Sequence, residues 1–383
     1  MKSELTLGSL FDGIGGFPLV AVREGILPVW ASEIEPAPIS ITKRHFPDMR
    51  HLGDITKING AKIEPVDFIT FGSPCQDLSI SGYRAGLDGK RSGLFMQAIR
   101  IIKEMRFATN GKYPTRIIWE NVPGTFSTNN GKDFQKVIEE ISKVAEPGVS
   151  ISRPSKKYGW LAAGGIMGDN WSLAWRVLNA QYFGVPQHRR RIFIIADFTE
   201  QCAGEILFKS ESVPRNNQES RETEKNIAAN VETSIGEAGF TVDIGHSTDR
   251  IQINPQSAVT LKANGGGGGA KTGLYFLPSE TSFRFRGYGD YADINISKAL
   301  LSKDDITNSD LITSGYSVRR LTPLECERIQ GYPDGWTEYG HDNKRISDNQ
   351  RYKALGNSVA IPCVQYLISR AKKLKKSPDK SQG

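Results

Sequence analysis

The sequence is short of every residue pattern that marks a disulfide scaffold, a common metal site or a membrane span. Of 383 residues only four are cysteine, at positions 75, 202, 326 and 363. They lie far apart without a Cys-x-x-Cys pair, which argues against a disulfide framework or structural zinc and fits a reducing cytoplasm. The five histidines, at 45, 51, 188, 246 and 341, show no ligand spacing, so no metal is expected. Apolar runs such as Ile192–Ala196 fall far short of the roughly 20 residues a bilayer demands, and no secretory leader is visible, so a soluble, cytoplasmic protein without membrane contact is expected. Charge of one sign is also scarce. The net charge is +7, but residues 370–383 hold six Lys or Arg against Asp379, which leaves +2 for the other 369 residues. The basic tail from about 370 is at best a non-specific phosphate contact. What remains is ordinary: 38% hydrophobic and 24% charged residues suffice for a sizeable core and exclude a disordered chain.

Short, continuously apolar runs recur at Leu5–Leu10, Val29–Ser32, Phe68–Phe71, Arg116–Trp119 and Arg191–Ala196. Helical patterns lie between or beyond them, at Leu94–Arg106, Phe134–Val144, Ser172–Ala180 and Pro362–Lys373. Strands separated by helices predict βαβ units on a parallel, doubly wound α/β sheet, with chemistry just past the carboxyl ends of the strands. From 199 to 317 the texture becomes polar, then irregular and β-rich, with five glycines at 265–269. The expected division is therefore a domain over 1–198, a smaller irregular β-rich module over 199–317, and a return over 318–383.

The first strand runs into Phe11-Asp12-Gly13-Ile14-Gly15-Gly16, a turn whose glycines allow close approach of a ligand. Glu33, twenty residues after Gly13, stands where a carboxylate can hold ribose hydroxyls. Pro18 stands where a dinucleotide fingerprint needs its third glycine, which weakens a pyrophosphate reading. A nucleoside carrying an amino acid, S-adenosylmethionine, suits this loop better. Asp54, followed by Ile55, offers an acceptor for an adenine amino group. Cys75 sits on a Gly/Pro turn, Phe71-Gly-Ser-Pro-Cys-Gln76, where a thiolate can be presented as a nucleophile. A lone cysteine is usually an inert core residue; its company here is Glu120-Asn121 after another strand and Gln187-His-Arg-Arg-Arg191 before a third.

These blocks, in this order, resemble the C5-cytosine DNA methyltransferase family of bacterial and phage type. The resemblance rests on residues 11–16, Glu33, Pro74-Cys75-Gln76, Glu120-Asn121-Val122, 187–191, 320–333 and Gly356-Asn357-Ser358-Val359. It implies a Rossmann-like S-adenosylmethionine-dependent methyltransferase fold, in which 199–317 is the target-recognition domain and 318–383 completes the catalytic domain. By resemblance, Phe11, Asp12, Gly13, Gly15, Gly16, Glu33, Asp54, Ile55, Pro74, Asn357, Ser358 and Val359 form the cofactor pocket. The Cys75 thiolate adds to cytosine C6 while Glu120, which must carry or share a proton, serves N3; Arg191 lies near O2 with Arg189 as its neighbour, and Arg190 faces away. Asn121 holds the Pro-Cys turn. The target base must leave the duplex stack. The loop Asp77–Gly93, with Ser79, Ser81 and Arg91 as DNA contacts, is the expected active-site loop.

The resemblance departs at Ile34, where an aromatic residue commonly follows the ribose-binding glutamate, and 145–171 has no role in it. The expected reaction is C5 methylation of a flipped cytosine in duplex DNA by a monomer, with a restriction endonuclease for the same site as a natural companion. Methylation of tRNA is the rival, disfavoured by the long module at 199–317. A silent DNA-binding relative is disfavoured by Cys75, Glu120 and Arg191, and a thiol hydrolase by the lack of a histidine motif beside Cys75.

Overall fold

The structure is a computed structural model, and the residues it describes are 5–74, 93–155, 159–208 and 321–374, together with the backbone of six strands between 241 and 320. By density of internal packing the chain divides into two units, one of residues 1–179, 190–215 and 363–383, the other of 180–189 and 216–362.

The first unit is built on an eight-stranded sheet: β1 (Thr6–Leu10), β2 (Leu27–Ser32), β3 (Arg50–His51), β4 (Phe68–Phe71), β5 (Arg116–Asn121), β6 (Ala163–Met167), β7 (Ser172–Asn179) and β8 (Arg190–Asp197). Its order is β3-β2-β1-β4-β5-β8-β7-β6. The pairs among β1 to β5 are parallel, and β8, β7 and β6 join antiparallel. The sheet is therefore mixed rather than wholly parallel. Helices α1 (Gly16–Arg23), α2 (Pro36–His45), α3 (Gly93–Ala108), α4 (Lys132–Ser142) and α5 (Ala203–Leu207) follow the chain between or after the strands. Alternate strand residues explain the layering. Ile69 and Phe71 of β4, Ile117 and Trp119 of β5 and Ile192 and Ile194 of β8 share one buried cluster with Phe95, Ile99 and Ile102 of α3 and Phe134, Val137 and Ile141 of α4. The intervening Ile118 and Ile195 are buried as well, so both faces are covered and the strands read as continuous apolar runs.

Ser172–Ala180, expected as a helix, is strand β7. Leu173, Trp175 and Val177 alternate toward the cluster, but Ala174 and Leu178 on the other face are buried too. A short run buried on both sides carries no clear period in its sequence. The preceding segment without an assigned role supplies β6, the edge strand that pairs with β7. Trp160 packs edge-on against Phe134 and Trp175 and donates to the Gly131 carbonyl at 2.8 Å; Trp171 donates to Glu146 at 3.0 Å.

At the amino end of β5, Arg116 is an ion-pair hub. Its Nε lies 2.5 Å from Asp197 Oδ2, and its Nη1 donates to the Ala371 carbonyl at 2.6 Å, in the C-terminal helix Ile361–Lys373. The Cys202 thiol donates to Asp197 at 2.9 Å. Asp197, Glu200 and Cys202 bring potential metal ligands within 4.8 Å of one another, but Arg116 already neutralises the buried carboxylate.

The second unit contains a four-stranded antiparallel sheet of Ile251–Asn254, Thr241–Ile244, Leu274–Pro278 and Tyr316–Arg320, in that order, and a hairpin of Ser282–Phe285 with Tyr291–Ile294. Its helix Pro323–Arg328 opens with a capping box, in which Thr322 Oγ1 accepts from Glu325 N and Glu325 Oε2 accepts from Thr322 N at 2.7 Å. Residues 180–189 and 321–362 group here rather than with the domain expected over 1–198 and 318–383. One reason is Arg189, whose buried guanidinium donates to the carbonyls of Gly356, at 3.3 Å, and Ser358.

Candidate active site

In the first unit the carboxyl ends of β1, β2, β4 and β5 bring a glycine loop and the turn after β4 to one edge of the sheet. The glycine loop begins at Phe11, which holds a left-handed φ of 53°. Asp12 N donates to Ser32 O at 3.0 Å and Gly15 N to Asp12 O at 3.1 Å, which closes the turn before α1. Gly15 is required by its surroundings, because an added Cβ would lie 2.8 Å from the Phe46 ring. Gly13 differs: its φ is 58°, and the space a Cβ would enter is open, so a ligand can reach the backbone there. Gly16 opens α1 and is buried.

Glu33 is clamped by backbone amides. Its Oε2 accepts from Gly13 N at 2.8 Å, and its Oε1 from Ile34 N at 2.7 Å and Glu35 N at 3.0 Å. The carboxylate is thus fixed beside the glycine turn, half-buried, with lone pairs left for hydroxyl donors. Ile34 is 67% exposed, an apolar side chain standing free next to that carboxylate. Asp54 caps the turn Ile55–Lys57 through Oδ1, which accepts from Thr56 N at 2.9 Å and Thr56 Oγ1 at 2.8 Å. The Thr56 amide and hydroxyl hold the Asp54 carboxyl below its ordinary range, and Oδ2 is not used in the cap. Ser32 Oγ donates to Gly53 O at 2.7 Å, which ties Asp54 to the end of β2. Ile55 is buried beneath it. Asp12 is 6% exposed, and neither of its carboxylate oxygens has a hydrogen-bond partner among the described residues. Burial pushes its carboxyl up to about 8; the Ser9 hydroxyl, which falls short of hydrogen-bond geometry, offsets part of this, and the Glu33 charge adds to the rise. Open space at Gly13, a fixed carboxylate, a second acidic turn and an orphaned carboxyl group suit a nucleoside bearing a cationic tail.

The second turn, Gly72–Pro74, follows β4. Gly72 lies against Glu120, whose Oε2 would be 3.4 Å from a Cβ at that position. Ser73 Oγ accepts from Trp119 Nε1 at 3.1 Å, and Ser73 O accepts from Asn121 Nδ2 at 3.0 Å. Asn121 Oδ1 accepts from Val122 N at 2.8 Å. One buried amide therefore joins the end of β5 to the turn that carries Pro74. Across the sheet, Glu120 pairs with Phe193, so Arg191, two residues earlier on β8, is its diagonal neighbour on the same face. Arg191 Nε lies 3.1 Å from Glu120 Oε1. Arg190, the residue before Arg191, is exposed.

The other expected site residues divide into two groups. Cys75, Ser79, Ser81 and Arg91 lie outside the described residues, as do the rest of 75–92 and the glycines at 265–269. Arg189, Asn357, Ser358 and Val359 lie in the second unit. There Arg189 holds the 356–358 turn, helped by Gln330, whose Nε2 donates to Leu355 O at 2.7 Å and whose Oε1 accepts from Ser358 Oγ at 3.2 Å. Ser73, Trp119 and Gln330 were not singled out from the sequence. For Ser73 the available signal was a polar residue between Gly72 and Pro74; Gln330 and Trp119 read there as ordinary members of a motif and a strand.

A family model described as C-5 cytosine-specific DNA methylase matches residues 5–373. The Type II methyltransferase M.HhaI of Haemophilus parahaemolyticus is 26% identical over 94% of this chain and 91% of its own length. M1.ScrFI of Lactococcus lactis subsp. cremoris is 27% identical over 94% of this chain and 76% of its own. A protein of Escherichia phage P1, named a DNA N-6-adenine-methyltransferase, is 28% identical over 97% of this chain, which spans 61% of that relative's length. Among solved structures, the Dnmt2 methyltransferase of S. pombe matches with a TM-score of 0.59 at 18% identity, covering 97% of this chain and all of that one, which extends the likeness to the fold. With a family match running from residue 5 to residue 373, the chain belongs to the C-5 cytosine-specific DNA methylases.

Proposed function

We propose that the chain is a DNA (cytosine-5-)-methyltransferase that acts on a cytosine swung out of duplex DNA, as a cytoplasmic monomer without a metal. The observation that carries this reading is the Glu120–Arg191 pair, 3.1 Å apart, beside the Gly72–Pro74 turn that leads into Cys75. Cytosine C5 is a weak nucleophile. Bond formation between the Cys75 sulfur and C6, with Glu120 supplying a proton or hydrogen bond at N3, moves electron density to C5. S-adenosylmethionine, when bound, supplies the electrophilic methyl group. Loss of the C5 proton then lets the ring recover its aromaticity as the sulfur–C6 bond breaks. Arg191 is matched to the cytosine O2 and orients Glu120; Asn121 holds the turn that leads into Cys75; Arg189 supports the turn at Gly356–Ser358. Glu33 binds the ribose and Asp54 the adenine amino group, and Ile34 packs on the adenine where an aromatic side chain commonly stands. Ser79, Ser81 and Arg91 contact the DNA backbone. A restriction endonuclease of the same site is a candidate companion.

The test is to incubate purified chain with labelled S-adenosylmethionine and either duplex DNA or tRNA, and to identify the modified nucleoside by mass spectrometry and bisulfite sequencing. 5-Methylcytosine in DNA, abolished by Cys75→Ser, is the expected result. Label confined to tRNA, or undiminished turnover in Cys75→Ser, overturns it. N6-methyladenine, the product that the phage relative's name would suggest, also overturns it, since an exocyclic amine needs neither a cysteine adduct nor an acid at N3.

A further inference from the structure

We propose that Asp12 is the counter-anion for the α-ammonium group of the bound cofactor, and that cofactor binding therefore expels a proton from the ligand-free protein. This rests on the cofactor reading of the β1 loop. A carboxyl that is 6% exposed, with both oxygens lacking a partner among the described residues, is a costly feature to bury unless something completes it. Its place is informative: Asp12 precedes Gly13, whose amide is held by Glu33 and whose missing side chain leaves open space. The cofactor reading puts a ribose on Glu33. Beyond its sulfur the same ligand carries a carboxylate, which Asp12 would repel, and an ammonium, which it would attract. Glu33 is the charged neighbour that acts on Asp12, and it too is an anion, so among the described residues no compensating cation acts there. With its proton held up to about pH 8, Asp12 is neutral in the free protein at pH 7 and must ionise to meet the ammonium.

Isothermal titration of S-adenosylhomocysteine into the full chain tests this without turnover. Affinity should rise about tenfold per pH unit between pH 6 and 7.5 and flatten near 8. At pH 7, titrations in phosphate and in Tris, whose ionisation enthalpies differ, should report close to one proton released per ligand. 5′-Methylthioadenosine, which has neither ammonium nor carboxylate, should bind with a flat profile and no proton release. Asp12→Asn should flatten the homocysteine profile and lose the proton release while still binding methylthioadenosine, which shows that the variant is folded. A flat wild-type profile, or the same slope in Asp12→Asn, overturns the proposal and leaves the cofactor reading standing. An equal slope for methylthioadenosine also overturns it, by moving the titration to the nucleoside end. If neither nucleoside binds at any pH, the cofactor reading itself fails.

Discussion

Arg116→Met should destabilise the first unit by about 3–5 kcal/mol at neutral pH, because it strands a buried charge rather than because it removes an attraction. The Arg116 and Asp197 side chains are 2% and 0% exposed. Without the guanidinium, Asp197 keeps the Cys202 thiol on Oδ2 and the Thr199 and Glu200 amides on Oδ1, which satisfy hydrogen bonding but do not neutralise the charge. The C-terminal helix also loses its tie through Ala371 O. The pH dependence gives the argument its sign. Burial works against ionised Asp197, but Arg116 and the hydrogen bonds from Cys202 and Thr199 more than offset it and hold the carboxyl below its ordinary range. In the wild type this stabilisation is present above the unfolded value near pH 4 and is lost as pH falls through the folded one. In the variant the stranded carboxylate gains by taking up a proton, so the gap to wild type should narrow between pH 7.5 and 5. Urea unfolding followed by tryptophan fluorescence suits the measurement, since five of the six tryptophans, at 30, 119, 160, 171 and 175, lie in the first unit. A loss below 1 kcal/mol, or a gap that widens on acidification, refutes the reasoning.

Four further outcomes follow from the same geometry. Glu120→Gln should keep the fold and cost about 10²–10⁴ in kcat, read in single-turnover methylation, because an amide accepts the Arg191 contact but cannot deliver a proton. Asn121→Ala removes the donor to Ser73 O and the acceptor for Val122 N at a buried position; about 2–4 kcal/mol of stability should go, with a larger fall in kcat than in cofactor affinity. Gly8→Ala would place a Cβ 2.2 Å from the Trp30 ring, which cannot swing aside without giving up its bond to Glu64 O, and a loss of about 1–3 kcal/mol or more is expected in urea unfolding. Without cofactor, Asp12 favours the fold most when protonated, so its contribution is full below about pH 4 and is lost as pH rises through about 8. The wild type should lose up to about 1.4 kcal/mol per pH unit across that window relative to Asp12→Asn, in paired urea titrations.

Much of the first unit was readable because its strands are buried on both faces and its turns need particular residues. Leu5–Leu10, Phe68–Phe71 and Arg116–Trp119 announce themselves as short runs rich in apolar residues, and each is followed within about four residues by one with chemistry, Asp12, Cys75 or Glu120. β7 did not, since Leu173, Trp175 and Val177 face the core while Ala174 and Leu178 on the other side are also buried. The antiparallel entry of β8 was equally hidden, because an apolar run has no direction until its partner is known. That direction decides the site: only an antiparallel β8 sets Arg191 diagonally across from Glu120.

The motif blocks also separate by physical task, which their order in the sequence does not reveal. Thr322, Pro323 and Glu325 start a helix through a capping box, and Gln330 and Arg189 hold the turn at 356–358 through backbone carbonyls. None of these needs to meet a substrate to be indispensable. Glu33 and Glu120 differ from them in having their carboxylates fixed at the open edge of the sheet, the first by three amides and the second by one guanidinium. The contrast fits the roles proposed for the two. A ribose ligand needs a rigid, charged acceptor, and backbone amides provide that permanently, whereas an acid that serves N3 must exchange its partner during the reaction. A side-chain arginine, itself suited to a carbonyl oxygen of the base, can move from Glu120 to the substrate. Strand β5 thus carries a structural ion pair at Arg116 and an exchangeable one at Glu120, four residues or roughly 13 Å apart, and the two should respond independently to substitution.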